Sequence, residues 1–596
     1  MGNARKTVLR LLTRLENSGS YSNILLDEGL ERSDLSPQDK KFAAALFYGV
    51  LERQITLDNI IREYSRNPKN KLGTEVRVIL RMGLYQLLYM DSVPDNAAVD
   101  ESVKLAKKNR NPAASGFVNA MLREFIRNDK KLPKGRNATE ELSIEYSAPV
   151  WLTEKWTREY GKDICLEMLK TSVGQAPVTA RVNTVFHSLE STLDMLAEEG
   201  ITFERLSVLP DCIRICGAGA VEHTKAYKEG RIHVQDLSSQ LCCAALDPKE
   251  NDTVLDLCAA PGGKTFTIAE RMNNKGRVLA FDLHRNRAGL IESGAKRLGL
   301  DCIRAGVNNA KVYDEKMPKA DKVLCDAPCS GLGVIRRKPE IKYKEPSDFD
   351  RLPEIQYDIL KTSAEYVKVG GTLVYSTCTF APEEDEGQVA AFLQRHPEFT
   401  LADALGNVDY TFGSEGEANR TGGLPLDVSK VRRIWPCQGG EGHFMARLVK
   451  AGTPRVLPAE GEYTAEEQLW LAAAEAAGKK AKGKGGKPAK TPDARSARRE
   501  NARACREAVQ GEKRSREAQA GETSPAQSLA AWHAFAGQYF PALVDSDDLA
   551  MVPMTTTRLT DPDQLKLMGK LLDALEDNDD VQNVWHSLEN EEDLPE

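Results

Sequence analysis

Residues 253–265 read TVLDLCAAPGGKT, and this stretch decides the fold. The short apolar segment VLDL runs directly into a turn that contains Gly262 and Gly263, and the helical pattern TFTIAERM follows. Three further apolar segments end in the same way, where small or reactive residues begin: RVLAFD, DKVLCD and GTLVYST. Strands that alternate with helices predict a doubly wound, mostly parallel sheet over residues 230–450. Ligands bind such sheets at the carboxyl ends of the strands.

The glycine turn is the first candidate ligand site. Glycine lets the backbone approach a ligand closely, the helix N-terminus favours an anionic group, and Lys264 adds a positive charge. Asp282 ends the second strand, 26 residues after Asp256. That separation is near the one at which an acidic residue meets ribose hydroxyls in dinucleotide-binding folds. The turn departs from GxGxxG, which disfavours NAD, so we expect another adenosine-bearing cofactor.

Two cysteines and a carboxylate stand at the ends of the later strands. Asp326 and Cys329 follow DKVLC, and Cys378 follows GTLVYST. A lone cysteine in a strand is most often a small buried hydrophobe. Two cysteines at the ends of neighbouring strands, beside a carboxylate and a cofactor turn, instead predict a reactive site.

Three long motifs stand out in this region: LDLCAAPGGKT, CDAPCSGLGVIRRKPEIKY and VYSTCTFAPEEDE. With YSAPVWL, RVN at 181–183, HVQDLSSQL and GHFMARL, they span roughly residues 144–449. In all of them the chain resembles the NOL1/NOP2/Sun family of RNA cytosine-C5 methyltransferases. The resemblance implies a Rossmann-like methyltransferase domain with S-adenosylmethionine (SAM) as cofactor.

The resemblance also implies a covalent mechanism. Cytosine C5 is a poor nucleophile, so a thiolate must first add to C6. Cys378, in the TC motif, is implied as that nucleophile, and Asp326 as the carboxylate that hydrogen-bonds the base near N3. Cys329, in the PC motif, is implied to assist release of the product. DNA cytosine methyltransferases use a PC cysteine as nucleophile, so the presence of both cysteines favours RNA as substrate.

The family's cofactor and RNA contacts carry over residue by residue. The methionine portion of SAM is expected at the turn formed by Cys258, Ala259, Ala260, Pro261, Gly262, Gly263 and Lys264. Asp282 is expected at the ribose and Asp326 at the edge of the site, whereas Asn309 stands where the family usually has an Asp facing the adenine amino group. A second departure is Asp385, where the family often has Asn. The expected RNA contacts are Arg181, Arg336, Arg337 and Lys338, although a solvated charged turn is an equal alternative for the last three.

Residues 1–130 are predicted to form an all-α bundle. Apolar residues recur every three or four positions in helices expected at 7–17, 37–53, 55–64, 75–90, 96–107 and 112–127. The segments DKKFAAALFYGVLERQITLD, ILRMGLYQLLYMDSVPDNAAVDESVKLAK and GFVNAMLREF resemble the NusB-type RNA-binding domain. A NusB-like domain joined to the methyltransferase is similar to the branch of the family that methylates cytosine 967 of 16S rRNA.

Three further segments complete the predicted domain organisation. Residues 144–229 are expected to form an α+β RNA-recognition subdomain. Within the linker at 451–540, residues 479–516 carry 14 basic and 4 acidic side chains, which predicts a flexible arm that either binds phosphates or is an ordinary solvated linker. Residues 541–596 carry 3 basic and 15 acidic side chains, and LLDALEDNDDVQNVWHSLE resembles part of the YebC/PmpR family, which implies a small α+β lobe.

Composition and cysteine spacing exclude several classes of protein. No apolar stretch has the length of a membrane helix, and the first 20 residues lack a signal-peptide core, so we expect a cytoplasmic protein. We also expect a monomer. The 12 cysteines are irregularly spaced, which argues against a disulfide framework, and the two C-x3-C pairs lack zinc-site partners. We therefore expect no metal. The alternatives to methylation of 16S rRNA, or its small-subunit precursor, are methylation of another rRNA or tRNA cytosine, or a non-catalytic RNA-binding or antitermination factor.

Overall fold

The computed structural model describes residues 3–18, 22–65, 72–108, 112–216, 221–406 and 414–454, residues 468 and 472, and the segments 542–544 and 551–553. The chain divides into two units, residues 1–484 and residues 485–596. None of the helices in these described ranges combines the length and the apolar composition that crossing a membrane requires.

The first unit begins with a helical bundle. Its helices are α1 (Ala4–Ser18), α2 (Ser22–Glu31), α3 (Pro37–Glu52), α4 (Gln54–Tyr64), α5 (Thr74–Tyr89), α6 (Asp95–Lys108) and α7 (Pro112–Arg127). The six predicted helices are confirmed within a few residues at each end, because their apolar positions face one continuous core. Helix α2 was not predicted. Ser22, Leu25, Leu26 and Gly29 are buried at helical spacing, but only Leu25 and Leu26 among them are large apolar side chains, so the apolar signal in the sequence is short.

Helices α8 (Ala138–Tyr146) and α9 (Val150–Thr171) lead into a small α+β subdomain. Its strands are β1 (Val178–Val182), β2 (Thr202–Arg205), β3 (Cys212–Cys216) and β4 (Ile232–Val234), with helices α10 (Leu189–Glu198) and α11 (Lys225–Lys228) between them. The strands form an antiparallel sheet in the order β2-β3-β1-β4. The strands of this segment do not alternate between buried and exposed residues: Thr179 to Val182 of β1 are all buried, and β3 is buried at Cys212, Ile213 and Ile215.

The large sheet follows helix α12 (Leu237–Leu246). Strands and helices alternate up to β7 and again from β8 to β10. In chain order the elements are β5 (Thr253–Asp256), α13 (Gly263–Arg271), β6 (Arg277–Asp282), α14 (Arg285–Leu298), β7 (Ile303–Val307), β8 (Ala320–Asp326), α15 (Leu352–Tyr366), β9 (Val367–Thr377), α16 (Glu386–Arg395), β10 (Phe399–Ala402), β11 (Arg432–Ile434) and β12 (His443–Lys450). The strand order is β10-β12-β9-β8-β5-β6-β7, with β11 paired to β12. The five strands from β9 to β7 are parallel, and β12 is antiparallel to β9, β10 and β11. The predicted mostly parallel sheet is confirmed.

The bundle contacts the α/β domain of residues 230–450 through the end of α3. A short 3-10 helix, Pro339–Tyr343, follows the loop that carries the PC motif (the PC loop) and packs against the end of α3. The Nζ of Lys342 donates to the carbonyl of Glu52 at 2.8 Å, and the hydroxyl of Tyr343 donates to the carbonyl of Leu51. Helix ends leave their last carbonyls without intrahelical donors, so these two side chains satisfy groups that α3 itself cannot.

In the second unit, β13 (Ala542–Val544) and β14 (Met551–Pro553) pair in antiparallel fashion. The expected flexible arm and the remainder of the YebC-like lobe lie outside the described residues.

Candidate active site

The two predicted cysteines meet at the carboxyl ends of neighbouring strands. Asp326 ends β8 and pairs in register with Ser376 of β9, so the loops that follow both strands start side by side. The Sγ atoms of Cys329 and Cys378 lie 3.2 Å apart. The backbone N–H of Cys378 also donates to the Sγ of Cys329, at 3.3 Å. Both cysteines are half-buried.

The contact between the sulfur atoms gives the two thiols different acidities. The hydrogen bond from Cys329 lowers the pKa of Cys378 below its ordinary value, against the effect of burial, and the positive charges of Lys264 and Lys338 act in the same direction. The same hydrogen bond, together with burial, raises the pKa of Cys329. Cys378 is therefore the thiol that favours the thiolate form, and Cys329 is the one that keeps its proton.

A carboxylate and a cation lie beside the thiols. The Nζ of Lys264 is 2.8 Å from Oδ2 of Asp326, and the hydroxyl of Ser376 donates to Oδ1 of the same carboxylate at 2.7 Å. Burial alone would raise the pKa of Asp326, but the charge of Lys264 and these hydrogen bonds hold it below its ordinary value. Asp326 is therefore ionised at neutral pH.

The turn between β5 and α13 has the shape of an anion cradle. Gly262 has φ of 110°, and a Cβ there would lie 2.4 Å from the ring of Phe266, so only glycine fits. At Gly263 a Cβ would meet nothing closer than 3.7 Å, which leaves the backbone open to a ligand. The first N–H groups of α13 have no acceptor within the helix. The turn thus fits the carboxylate end of an amino-acid-bearing cofactor.

Asp256 and Asp282 end the strands on either side of this turn. Burial raises the pKa of Asp256 to about 7, and the hydroxyl of Thr265 donates to its Oδ2. Asp282 is 4% exposed, and its Oδ1 accepts a hydrogen bond from the N–H of His284 at 3.1 Å. Asn309 follows β7, and its side-chain oxygen accepts from the N–H of Lys311 at 3.0 Å. Asp282 and Asn309 follow neighbouring parallel strands, at the same edge of the sheet as the turn.

The four predicted RNA contacts have different environments. The expectation for Arg181 is corrected: it is 3% exposed, with Nε 2.6 Å from Oε2 of Glu270 and a second ion pair to Asp211, so its guanidinium binds the protein interior. Arg337 is also engaged internally, because its Nε donates to Glu441 at 2.6 Å.

Arg336 and Lys338 lie closer to the surface. Arg336 is half-buried and donates to the carbonyl of Gly174 at 3.3 Å. Lys338 is exposed, and its positive charge lowers the pKa of Cys378. Of the four predicted contacts, Lys338 has the environment that best suits a phosphate contact.

Two residues that the sequence did not single out complete the site. Ser376 binds Asp326 and lies two positions before Cys378, so the two-residue period of a strand could have placed both on one face. His443, at the start of β12, is 2% exposed, and burial and the nearby charge of Lys264 lower its pKa to about 3. Its imidazole is therefore neutral. It lies in the GHFMARL motif, but no local pattern marks it as a site residue.

The cysteines of the described part are all free thiols. Across the same part, the side chains do not bring together three or more His, Cys, Asp or Glu residues in an arrangement that could bind a metal ion.

Four family models match the chain. The model described as 16S rRNA methyltransferase RsmB/F matches residues 243–449, and the NusB family model matches residues 2–127. The ferredoxin-like domain of RsmF/B-like methyltransferases matches residues 148–222. The second and third domains of the TACO1/YebC family match residues 509–588.

Curated relatives and a solved structure agree with these matches. The chain is 39% identical over 399 residues to the probable ribosomal RNA small subunit methyltransferase B of Bacillus subtilis, covering 66% of this chain and 89% of the relative. It is 32% identical to ribosomal RNA small subunit methyltransferase B of Sodalis glossinidius, covering 75% and 98%. The crystal structure of PH0851 superposes with a TM-score of 0.63 at 27% identity, covering 76% of this chain and 99% of that one. The chain therefore belongs to the 16S rRNA methyltransferase RsmB/F family and is a SAM-dependent rRNA methyltransferase.

Proposed function

We propose that the enzyme methylates C5 of a cytosine in 16S rRNA, the one at position 967, through a covalent adduct between Cys378 and C6 of the base. The observation that carries the proposal is the contact between the sulfur atoms of Cys378 and Cys329 beside the ionised Asp326. A nucleophilic thiolate, a protonated thiol and a carboxylate are the groups that addition to a cytosine ring and later elimination need.

Each group has one role in this mechanism. The Cys378 thiolate attacks C6, and electron density moves through the ring toward N3 and C5. As the adduct forms, N3 takes a proton from water, which neutralises the negative charge in the ring. Asp326 then accepts hydrogen bonds from the new N3–H and from the N4 amino group, which stabilises the adduct. When bound, SAM supplies an electrophilic methyl group to C5. Water then takes the C5 proton, the electrons of that C–H bond re-form the C5–C6 double bond, and Cys378 leaves C6 as a thiolate. The Cys329 thiol assists this release by donating a hydrogen bond to the departing sulfur.

The cofactor would be held by the turn and the strand ends described above. The turn from Cys258 to Lys264 and the N-terminus of α13 would bind the methionine carboxylate. Asp282 would accept from the ribose hydroxyls, and Asn309 would face the adenine. Calorimetry with S-adenosylhomocysteine tests this placement. We expect Asp282→Ala to weaken binding at least tenfold, since two hydroxyls lose a charged acceptor.

The RNA is expected to present its target base unstacked, as in a loop or a junction. Removing a base from its stack costs least in such regions, and the base must reach the thiols at the ends of β8 and β9. Lys338 is suited to hold a phosphate near the flipped nucleotide because it is exposed and its charge acts on Cys378.

Bisulfite sequencing of rRNA and tRNA tests the function. The strains carry the wild type, a deletion, or the deletion complemented with Cys378→Ala or Cys329→Ala. We expect one 16S rRNA methylcytosine to be lost in the deletion and in both variants. Cys329→Ala should also leave protein covalently bound to rRNA, seen as a slowly migrating species that RNase removes, whereas Cys378→Ala should not. Loss of a tRNA or other rRNA methylcytosine would overturn the substrate, and persistence of every methylcytosine would favour a non-catalytic RNA-binding factor.

A further inference from the structure

Two hydrogen-bonding side chains hold the main chain on both sides of Cys329. The Oε2 of Glu384 accepts from the N–H of Ser330 at 2.9 Å and from the Nε2 of Gln356 at 2.7 Å. The same Nε2 donates to the carbonyl of Pro328 at 3.0 Å. Pro328 and Ser330 immediately precede and follow Cys329, so one connected pair of side chains fixes the backbone of the PC motif at both positions.

The loop of Cys378 is attached to the same group. The hydroxyls of Ser330 and Thr379 are hydrogen-bonded at 2.6 Å, and these residues directly follow the two cysteines. The hydroxyl of Tyr375 in β9 donates to the backbone carbonyl of Glu384 at 2.6 Å, which fixes Glu384 itself to the strand that leads to Cys378. The two loops are therefore joined by a sulfur contact and a hydroxyl contact, one residue apart.

This arrangement is buried. Glu384 is 2% exposed, and Gln356 and Thr379 are fully buried. Burying a carboxylate is costly unless donors surround it. Glu384 receives one donor from Ser330, beside Cys329, and one from Gln356, which itself binds Pro328. The free energy of its burial therefore depends on where the segment around Cys329 lies.

We propose that Glu384 and Gln356 are positioning residues that keep the sulfur of Cys329 in contact with the sulfur of Cys378. They act through hydrogen bonds to the main chain of Pro328 and Ser330. The charge of Glu384 also acts directly on Cys329 and raises the pKa of that thiol. The inference deepens the proposed function, on which it rests, by assigning residues to the placement of the release thiol. Without these side chains the PC loop relaxes, the hydrogen bond from Cys329 to Cys378 is lost, and Cys378 is less often a thiolate.

The test measures the reactivity of Cys378 in the full chain without RNA or cofactor. Iodoacetamide alkylates thiolates, and mass spectrometry of the Cys378 peptide reports that residue alone among the 12 cysteines. We expect Glu384→Ala to move the midpoint of the rate-against-pH profile about one pH unit upward, so that the thiolate fraction falls about tenfold below the midpoint. Glu384→Gln should keep the wild-type profile, because an amide oxygen can accept the same two hydrogen bonds.

A double variant shows whether Glu384 acts through Cys329. Cys329→Ala should raise the midpoint as Glu384→Ala does, and the double variant should show no additional shift. The matched control is Ser363→Ala, which removes a buried hydroxyl on the same helix as Gln356, bonded to the carbonyl of Ile359 at 2.7 Å. This control should leave the profile unchanged.

Two outcomes would overturn the inference. One is an unchanged profile in folded Glu384→Ala, and the other is a shift that persists in full in the Cys329→Ala background. Should Glu384→Ala not fold, Gln356→Leu provides a second test, since it removes the hydrogen bonds from Gln356 to Pro328 and to Glu384. The readout involves no methyl transfer, so a different target base would refute the proposed function and leave this result intact.

Discussion

The ammonium of Lys264 lies 2.8 Å from Oδ2 of Asp326, so the turn between β5 and α13 forms an ion pair with the carboxylate that ends β8. The pair joins β8 to the N-terminus of α13 and brings one positive charge close to both Asp326 and Cys378. Under the proposed function, cofactor binding and thiol activation would depend on the same lysine.

Replacing Lys264 with methionine should raise two pKa values at once. Burial raises the pKa of Asp326, and the variant would lack the Lys264 charge that opposes this effect. Cys378 would lose a nearby positive charge that lowers its pKa. The alkylation profile of Cys378 should shift to higher pH, and methyl transfer at pH 7 should fall at least a hundredfold. The exposed Lys296→Met is the control and should behave as the wild type. An unchanged alkylation profile for Lys264→Met would contradict this reading of the ion pair.

Asp385 is held between a hydroxyl and a cation. It accepts from the hydroxyl of Thr377 at 2.6 Å, and buried Arg433 pairs with both Asp385 and Glu386. Burial raises the pKa of Asp385 well above its ordinary value. A group whose pKa is higher in the folded chain than in the unfolded chain stabilises the fold at low pH. That contribution to the free energy of unfolding is lost as the pH rises from the pKa of the unfolded chain through the pKa of the folded one.

Asp385→Asn should therefore be more stable than the wild type by a margin that grows with pH across this interval. The variant should keep its methyl-transfer activity, because the amide oxygen still accepts from Thr377. Thermal unfolding at a series of pH values measures the margin. Asp385→Leu removes the acceptor and should lower activity, and a stability difference that shrinks as the pH rises would refute the argument.

Lys338 and Arg337 should give different results when each is changed to glutamine. Lys338→Gln should weaken RNA binding and reduce the slope of log Kd against log salt by about one, as expected for one lost phosphate contact. Arg337→Gln leaves buried Glu441 without its cation, so it should mainly lower the thermal midpoint. Filter binding at several salt concentrations and calorimetry separate the two effects. Equal loss of RNA affinity in both folded variants would contradict the assignment.

Lys342 is 1% exposed, and burial lowers its pKa to about 7. An unfolded lysine has a pKa near 10.4, so between these values the unfolded chain binds more protons and stability rises with pH. Relative to Lys342→Met, the wild type should therefore gain stability as the pH increases from about 7 toward 10. Differential scanning calorimetry across this range measures the change. A flat difference would show that the amine is charged when folded.

The sequence located the strand ends well because the signals there are local. Asp282, Asp326 and Cys378 each follow an apolar run, and the parallel pairing of β5, β6, β8 and β9 brings those ends to one edge. Such pairing follows from the alternation of strands and helices alone. Six of the seven helices of the bundle were predictable for the same reason, since their periodicity lies within each segment.

Arg181, by contrast, could not be assigned from its neighbours in sequence. Its partners Glu270 and Asp211 are 89 and 30 residues away, and the RVN motif contains no sign of them. Glu384 and Gln356 were missed for the same physical reason. They form hydrogen bonds with main-chain groups of residues that are distant in sequence. Almost every residue type carries the same main-chain groups, so the sequence does not reveal such bonds.

The contact at the end of α3 affects how the sequences of the bundle and of the methyltransferase domain can evolve. Lys342 and Tyr343 recognise the carbonyls of Glu52 and Leu51, which every residue type presents. Substitutions at positions 51 and 52 can therefore leave these two bonds in place, and the sequences on the two sides can drift independently. Loss of the methyltransferase domain would cost more than such substitutions. A bundle without that domain would need water or another protein to donate hydrogen bonds to the last carbonyls of α3.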